Sequence, residues 1–600
     1  MDVGSVLADC PLFTGMGPQT LGSLAALARP IEVRSGERLF PAGAPSDCIY
    51  IVATGRLRAQ AEDGTIVGFM GRLEAIGEIG ALSGAPRSRA VHAIRDSLLI
   101  RIDREALLQF LLQNPQALLA LTRVMIARLT QSPQELKRRA ARATRAFALV
   151  PAPPTVEAAV SAHALRNLFA AWDTVQVLDA AGVERTLGAG AAQAAPDGGE
   201  ANTQLMSWLN AQESKYRYLV YAAGANADAW SRRCIRQADR VIVVTDAQAP
   251  AVATPMVASL KDAGVLAAVD LVLLRRQATD RAPVLEWKDL VGARSHYFLQ
   301  PGNERDLASL ARQLAGRGVG LVLGGGGARG FAHIGLIRAL EELDIPVDVI
   351  GGTSMGAFIG ALLACGHTSA SMVEVVRDTF VRKNYLNDWV FPRVALIRGR
   401  KFYRRLVEIF GEQHIEQLRR PYFCVSSNLT RGTPQVHDHG PLATWVATSM
   451  AVPGFAPPVV HNEELLVDGA VTDSVPTDVM QALGRGPIIA SDVSTDATIR
   501  ASGIVGPDME AVLRWRSAAK APNLRTILFR TATMSGQGDL QARADRADLY
   551  LRMPVSSIGM FSWPMLDEIV ERGYQFAREK LKPFREQLTQ RRQEVNETMI

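Results

Sequence analysis

Three short segments carry the residue types that acyl transfer needs. Gly352, Ser354 and Gly356 form a GxSxG pattern between the apolar runs 347–350 and 357–365. Strand, sharp turn and helix is the context of a nucleophile elbow: the glycines permit a strained backbone, and the helix N-terminus favours negative charge on the Ser354 hydroxyl. Upstream, the run 319–323 enters Gly324-Gly325-Gly326-Gly327-Ala328-Arg329-Gly330, where Gly325, Gly327 and Gly330 fit GxGxxG. Alone, this loop is open to three readings: a dinucleotide phosphate cradle, a structural tight turn, or a set of backbone N–H groups for an oxyanion. Beside Ser354 the oxyanion reading leads. The third segment ends the apolar run 465–467 at Asp468-Gly469-Ala470, placing a carboxylate at a strand end.

A serine nucleophile needs a base. The chain has nine histidines, none of them after Asp468. Ser354, Asp438 and His461 would supply the order Ser, Asp, His, but a Ser354–Asp468 dyad is the preferred expectation, with the carboxylate acting first as base and then as acid. A dinucleotide-dependent oxidoreductase ranks last, because Glu341, Glu342 and Asp344 are ambiguous ribose partners for the glycine loop.

Positioning these residues takes several domains. Six hundred residues at 48% hydrophobic and 21% charged exclude a mainly disordered or collagenous chain. A net charge of +6 is too thin to announce a nucleic-acid binder. Five scattered cysteines without a CxxC pair indicate neither a disulfide framework nor a zinc site, and no metal is required. The first residues lack the basic segment of a signal peptide, and no apolar run reaches the length of a membrane span, so the expected location is the cytoplasm.

The fold class expected is multidomain. Glycine-punctuated apolar runs over 31–102, then a leucine stripe, predict a β-roll with a C-terminal helix over 1–135. A basic helix and Pro-rich linker are expected over 136–156, around Lys137-Arg138-Arg139 and Pro151-Ala152-Pro153-Pro154. Apolar strands separated by helix-length segments predict a middle α/β domain over 157–315. The catalytic α/β unit follows over 316–500, with 501–600 as an extension completing it.

The motifs GxGxxG at 325–330, GxSxG at 352–356 and DGA at 468–470, in that order, resemble a patatin-like phospholipase domain. The resemblance implies an α/β sandwich, a catalytic Ser354–Asp468 dyad, and an oxyanion hole from Gly325, Gly326 and Gly327, with Arg329 matching the loop's basic residue. The segments 33–40, 47–52 and 55–57 are similar to the cyclic nucleotide-binding domain. Its phosphate cassette is matched at 77–82 and 86–88, implying Glu78 on a ribose hydroxyl and Arg87 on a cyclic phosphate. The sequence departs from that cassette at Arg89 and Ala90, where a small residue and a hydroxyl residue are usual, so a nucleotide effector site and a degenerate interaction module both stay open. The stretch 230–244 resembles the segment preceding the catalytic domain of the neuropathy target esterase (NTE) family. The combined resemblance implies hydrolysis of phospholipid or lysophospholipid acyl esters, with no required cofactor and a cyclic nucleotide as effector. The competing class is a non-enzymatic sensor or scaffold with an inert patatin-like unit.

Between residues 381 and 405, Arg382, Lys383, Arg393, Arg398, Arg400, Lys401, Arg404 and Arg405 face Asp388 alone, interleaved with Tyr385, Trp389, Phe391, Phe402 and Tyr403. Such a segment suits either peripheral contact with the inner face of an anionic membrane or a solvated face over core aromatics.

Overall fold

The structure, a computed structural model, describes residues 3–13, 15–64, 66–130, 145–152, 158–195, 199–262, 266–277, 281–391, 393–495 and 540–597. The chain divides into two units, Met1–Leu307 and Ala308–Ile600.

In the first unit, residues up to Thr130 form two four-stranded antiparallel sheets. One runs Ala28–Val33, Ser97–Asp103, Cys48–Thr54, Ala75–Ile76; the other runs Arg38–Phe40, Ala90–Ala93, Leu57–Gln60, Ile66–Met70. Strand periodicity explains why all seven residues of Cys48–Thr54 are buried. Cys48, Tyr50 and Val52 face the second sheet, whereas Ile49, Ile51 and Ala53 face a helical layer that includes Leu107, Phe110 and Leu121. This is a sandwich, and the leucine stripe divides into two helices, Arg104–Gln113 and Pro115–Thr130.

The same unit continues into a six-stranded parallel sheet, in the order Val175–Leu178, Tyr218–Ala222, Arg145–Pro151, Arg240–Asp246, Ala268–Leu274, Ser295–Leu299. The expected linker over 136–156 is corrected here. Its basic helix lies outside the described residues, while Arg145–Pro151 is a central strand of this sheet, paired on both sides and nearly all buried. Pro151 does not break this strand but is its last residue, opposite Val244 of the neighbouring strand. Ile94, from the sandwich, packs into the α/β core. Next to it Arg95 pairs with Glu213 at 2.5 Å and with Asp239 at 3.4 Å; Arg95 and Glu213 are buried and the Asp239 side chain is 8% exposed.

The second unit is built on a mixed eight-stranded sheet. Tyr422–Asn428, Val349–Thr353, Gly320–Leu323, Ile488–Asp492 and Leu549–Arg552 run parallel in that order. Glu464–Asp468 and Thr433–His437 pair antiparallel with Tyr422–Asn428, and Val459–His461 adds the edge. The helix Met355–Ala364 is buried along its whole length, as expected of an apolar helix without a polar face. The long helix Leu566–Glu597 packs on Ala332–Glu342, where a Cβ on Gly335 or Gly573 would strike the opposing backbone. The C-terminal residues therefore contribute both a strand and a covering helix to the sheet. Among the described residues, no helix is long and apolar enough to cross a membrane.

Candidate active site

Adjacent parallel strands end at Leu323 and Thr353, so the glycine loop and the serine turn emerge side by side, at the strand ends where α/β sheets collect their sites. Ser354 adopts φ 55° and ψ −122°, a left-handed conformation costly for a residue with a Cβ. The close packing that holds it there is legible in the motif glycines. A Cβ at Gly356 would meet the Leu323 carbonyl, at Gly352 the backbone of Gly356, at Gly330 the Met355 side chain, and at Gly469 the Val425 carbonyl. Gly325 lies over the serine, its hypothetical Cβ 3.1 Å from Ser354 Cβ.

The antiparallel register sets Asp468 opposite Ser426, two strands from Ser354. Ser354 Oγ donates to Asp468 Oδ2 at 2.6 Å, and the Ala470 N–H donates to Asp468 Oδ1 at 2.9 Å. Asp468 is 1% exposed, and burial pushes its carboxyl up to about 7 against the pull of those two hydrogen bonds. The alternative Ser–Asp–His set does not assemble. His461 lies on the exposed edge hairpin, its ring against Trp445 and its Nε2 beside Asn462, while Asp438 pairs with its neighbour His439.

The glycine loop departs from the expected donor set. The Gly325 N–H already donates to the Ser474 carbonyl at 3.0 Å, which leaves Gly326 and Gly327 as the loop amides without a partner among the described residues. Arg329 is buried and its Nε donates to the Gly326 carbonyl at 3.2 Å. That carbonyl shares a planar peptide with the Gly327 N–H, so the Arg329 hydrogen bond helps to hold that peptide's orientation.

Two residues that the motif spacing could not reveal hold the parts together. His333 is fully buried and bridges the Gly324 carbonyl (2.8 Å) and Ser491 Oγ (2.9 Å). A carbonyl only accepts, so Nε2 carries the proton, and burial lowers the ring to about 4, keeping it neutral. Ser449 accepts the Ser354 N–H at 2.9 Å and donates to the Val425 carbonyl at 2.6 Å. Two residues on, the Ala451 carbonyl accepts the Asp468 N–H at 2.9 Å. One short segment thus grips both the serine and the aspartate.

In the N-terminal sandwich, Glu78 opens the short helix Glu78–Ser83 and is buried. Arg87 is also buried, but turned inward: Nη2 donates to the Cys48 carbonyl at 2.7 Å and Nη1 to the Gly77 carbonyl at 3.2 Å, with its guanidinium 4.4 Å from the Phe40 ring centre. Arg89 is exposed and Ala90 begins a strand. Among the described residues no group of His, Cys, Asp or Glu is placed to hold a metal.

A strained serine, a buried carboxylate on its hydroxyl and a glycine turn on a mixed α/β sheet define a patatin-like domain, and residues 321–480 match the Patatin-like phospholipase family. Residues 30–114 match the Cyclic nucleotide-binding domain, and 143–315 the Neuropathy Target Esterase family P-loop like domain. An NTE family protein of Mycobacterium tuberculosis is 30% identical over 97% of both chains. Human patatin-like phospholipase domain-containing protein 6 is 29% identical over 91% of this chain and 44% of its own length. The mouse domain-containing protein 7 is 31% identical over 91% and 45%. The chain belongs to the NTE family and spans a little under half the length of these mammalian relatives.

Proposed function

We propose that the protein is a serine esterase that hydrolyses the acyl esters of phospholipid or lysophospholipid through Ser354 and Asp468. The observation that carries this reading is the 2.6 Å hydrogen bond from a strained serine hydroxyl to a carboxylate poised near 7. As Ser354 Oγ attacks the ester carbonyl, its proton passes to Asp468, and the oxyanion that forms faces the Gly326 and Gly327 amides. Collapse expels the alcohol, which takes the proton from Asp468 and leaves an acyl-serine. Asp468 then deprotonates a water, whose attack releases the fatty acid and restores the Ser354 hydroxyl. A carboxyl near 7 suits both transfers, since efficiency is greatest when the acid–base group titrates near working pH. No step calls for a cofactor or metal.

The same reading has the enzyme working in the cytoplasm with peripheral contact at the inner face of the membrane, where its substrate lies. Its cyclic nucleotide would be an effector, in the cassette of Glu78 and Arg87. Among the described residues, Arg87 Nε and Ser46 Oγ are buried there without hydrogen-bond partners, but the Cys48 and Gly77 carbonyls must first release the arginine.

Fatty-acid release from lysophosphatidylcholine tests the whole proposal, measured on wild type, Ser354→Ala, Asp468→Asn and His461→Ala, with and without cyclic AMP. The first two variants should be inactive and the third active. Activity lost in His461→Ala but kept in Asp468→Asn would overturn the dyad, and a wild type inert on every acyl ester would favour a non-enzymatic scaffold.

A further inference from the structure

The basic and aromatic stretch 381–405 separates in three dimensions into a paired, buried part and an unpaired, projecting part. Phe402 is buried and Tyr385 packs on the core. Arg382 pairs with Glu374, Lys383 with Asp378, and Arg405 with Asp378 and Glu408. By contrast, Trp389, Phe391 and Val394 are 50%, 81% and 68% exposed. Arg393, Arg398, Arg400 and Arg404 are exposed, and among the described residues none of them forms an ion pair.

The apolar trio is held outward by a pinned backbone. Trp389 bridges Ile397, and the Val390 N–H donates to the Leu396 carbonyl at 3.1 Å, closing a hairpin whose Ala395 and Ile397 are buried. The Asp388 carboxylate accepts the Gly399 and Lys401 amides, which joins the hairpin to the helix Arg400–Phe410 carrying two of the unpaired arginines. The other side of the hairpin leads to the reaction centre. The Leu396 and Ile397 amides donate to the Gly454 and Phe455 carbonyls, each at 3.0 Å, a few residues along from Ser449 and Ala451. Trp389 meets Phe455 edge-on, Phe455 meets Phe561, and the carbonyl of the adjoining Met560 accepts the Ala328 N–H beside the glycine turn.

We propose that this hairpin is a bilayer anchor beside the esterase mouth: Trp389, Phe391 and Val394 enter the acyl region of an anionic phospholipid surface while the four unpaired arginines bind its headgroups. The charge commits the occupant. Four exposed arginines without counter-ions around an apolar tip complement an anionic bilayer, each basic side chain near such a surface strengthening binding about fivefold. The proposal rests on the esterase reading for its purpose, but its measurement does not.

The full-length chain is sedimented with phosphatidylcholine vesicles, with and without phosphatidylglycerol, and hydrolysis of the soluble ester p-nitrophenyl butyrate is followed in parallel. The triple variant Trp389→Ala/Phe391→Ala/Val394→Ala should bind anionic vesicles at least about tenfold less, with soluble-ester hydrolysis within about twofold of wild type. Changing Arg393, Arg398, Arg400 and Arg404 to Ala should abolish the preference for phosphatidylglycerol. If the triple variant misfolds, Phe391→Asp decides alone, because that side chain is largely solvent-exposed. Wild-type affinity retained in Phe391→Asp, or a wild type that ignores anionic vesicles, overturns the anchor. Trp389-dependent binding by a chain inert on the soluble ester would instead sink the esterase reading and leave the anchor standing.

Discussion

Ser354 and Arg87 each sit at the centre of a motif that the sequence spells out, yet the two side chains are differently committed. Ser354 is held in a costly backbone conformation with its hydroxyl on the buried Asp468 carboxylate. Arg87 lies against two backbone carbonyls and an aromatic ring, its terminal nitrogens occupied by the protein itself and only its Nε without a partner among the described residues. Backbone strain at a hydroxyl held on a carboxylate points to chemistry, whereas a guanidinium turned onto backbone carbonyls points to packing. A motif match establishes which residues are present, and only the partners distinguish a poised group from a structural one.

Four measurements break or sharpen this contrast. The largest effect is expected at the dyad, where Ser354→Ala or Asp468→Asn should lower kcat by roughly 10⁴-fold or more. Arg87→Gln should leave basal kcat within about twofold. Comparable losses at both places would erase the distinction. Next comes Ser449→Ala, which strips the Ser354 N–H of its acceptor. A fall in kcat of about 10- to 100-fold with little change in KM is expected, along with partial rescue by Ser449→Thr; equal effects on KM would make Ser449 a general structural residue.

The pH dependence of kcat/KM follows from the buried carboxyl. Asp468 must be ionised to accept the serine proton, so activity should rise with pH through an acid limb near 7. Asp473, raised to about 6 by burial, sits in the following turn. Asp473→Asn should leave the limb in place, and a limb that moved with it would assign the titration to the wrong carboxylate. The smallest effect concerns stability. Arg87→Gln gives up two hydrogen bonds and a ring contact and should cost about 1–3 kcal/mol, read by thermal unfolding; an unchanged Tm would mean that Arg87 is as uncommitted as a ligand-binding group.

Much of the candidate site was legible because its chemistry is local. Gly352, Ser354 and Gly356 occupy one turn, and Asp468, Gly469 and Ala470 another, so short-range spacing encodes them. What failed to show was everything set by pairing across the sheet. Ser449 reaches Ser354 over 95 residues and His333 reaches Ser491 over 158, separations that no periodicity records. The Gly325 amide looked available because its acceptor, Ser474, lies far along the chain. The same limit explains the misplaced linker. Residues 145–151 read as an approach to a proline break, and only the flanking strands Tyr218–Ala222 and Arg240–Asp246 reveal them as the middle of a sheet. The aromatics of 381–405 read as one group, and burial alone separates Phe402 from Phe391.

The ionic knot of Arg95, Glu213 and Asp239 bears on how the first unit comes apart. Removing Arg95 leaves the Glu213 and Asp239 carboxylates without that cation, at a cost of about 3–5 kcal/mol, and Ile94 beside it is already part of the neighbouring α/β core. If the sandwich, which carries Arg95, melted alone, the α/β part would be left holding Glu213 and Asp239 without that cation. In calorimetric terms the two should therefore unfold as one cooperative transition, with a single heat-absorption peak where domain counting alone would expect two.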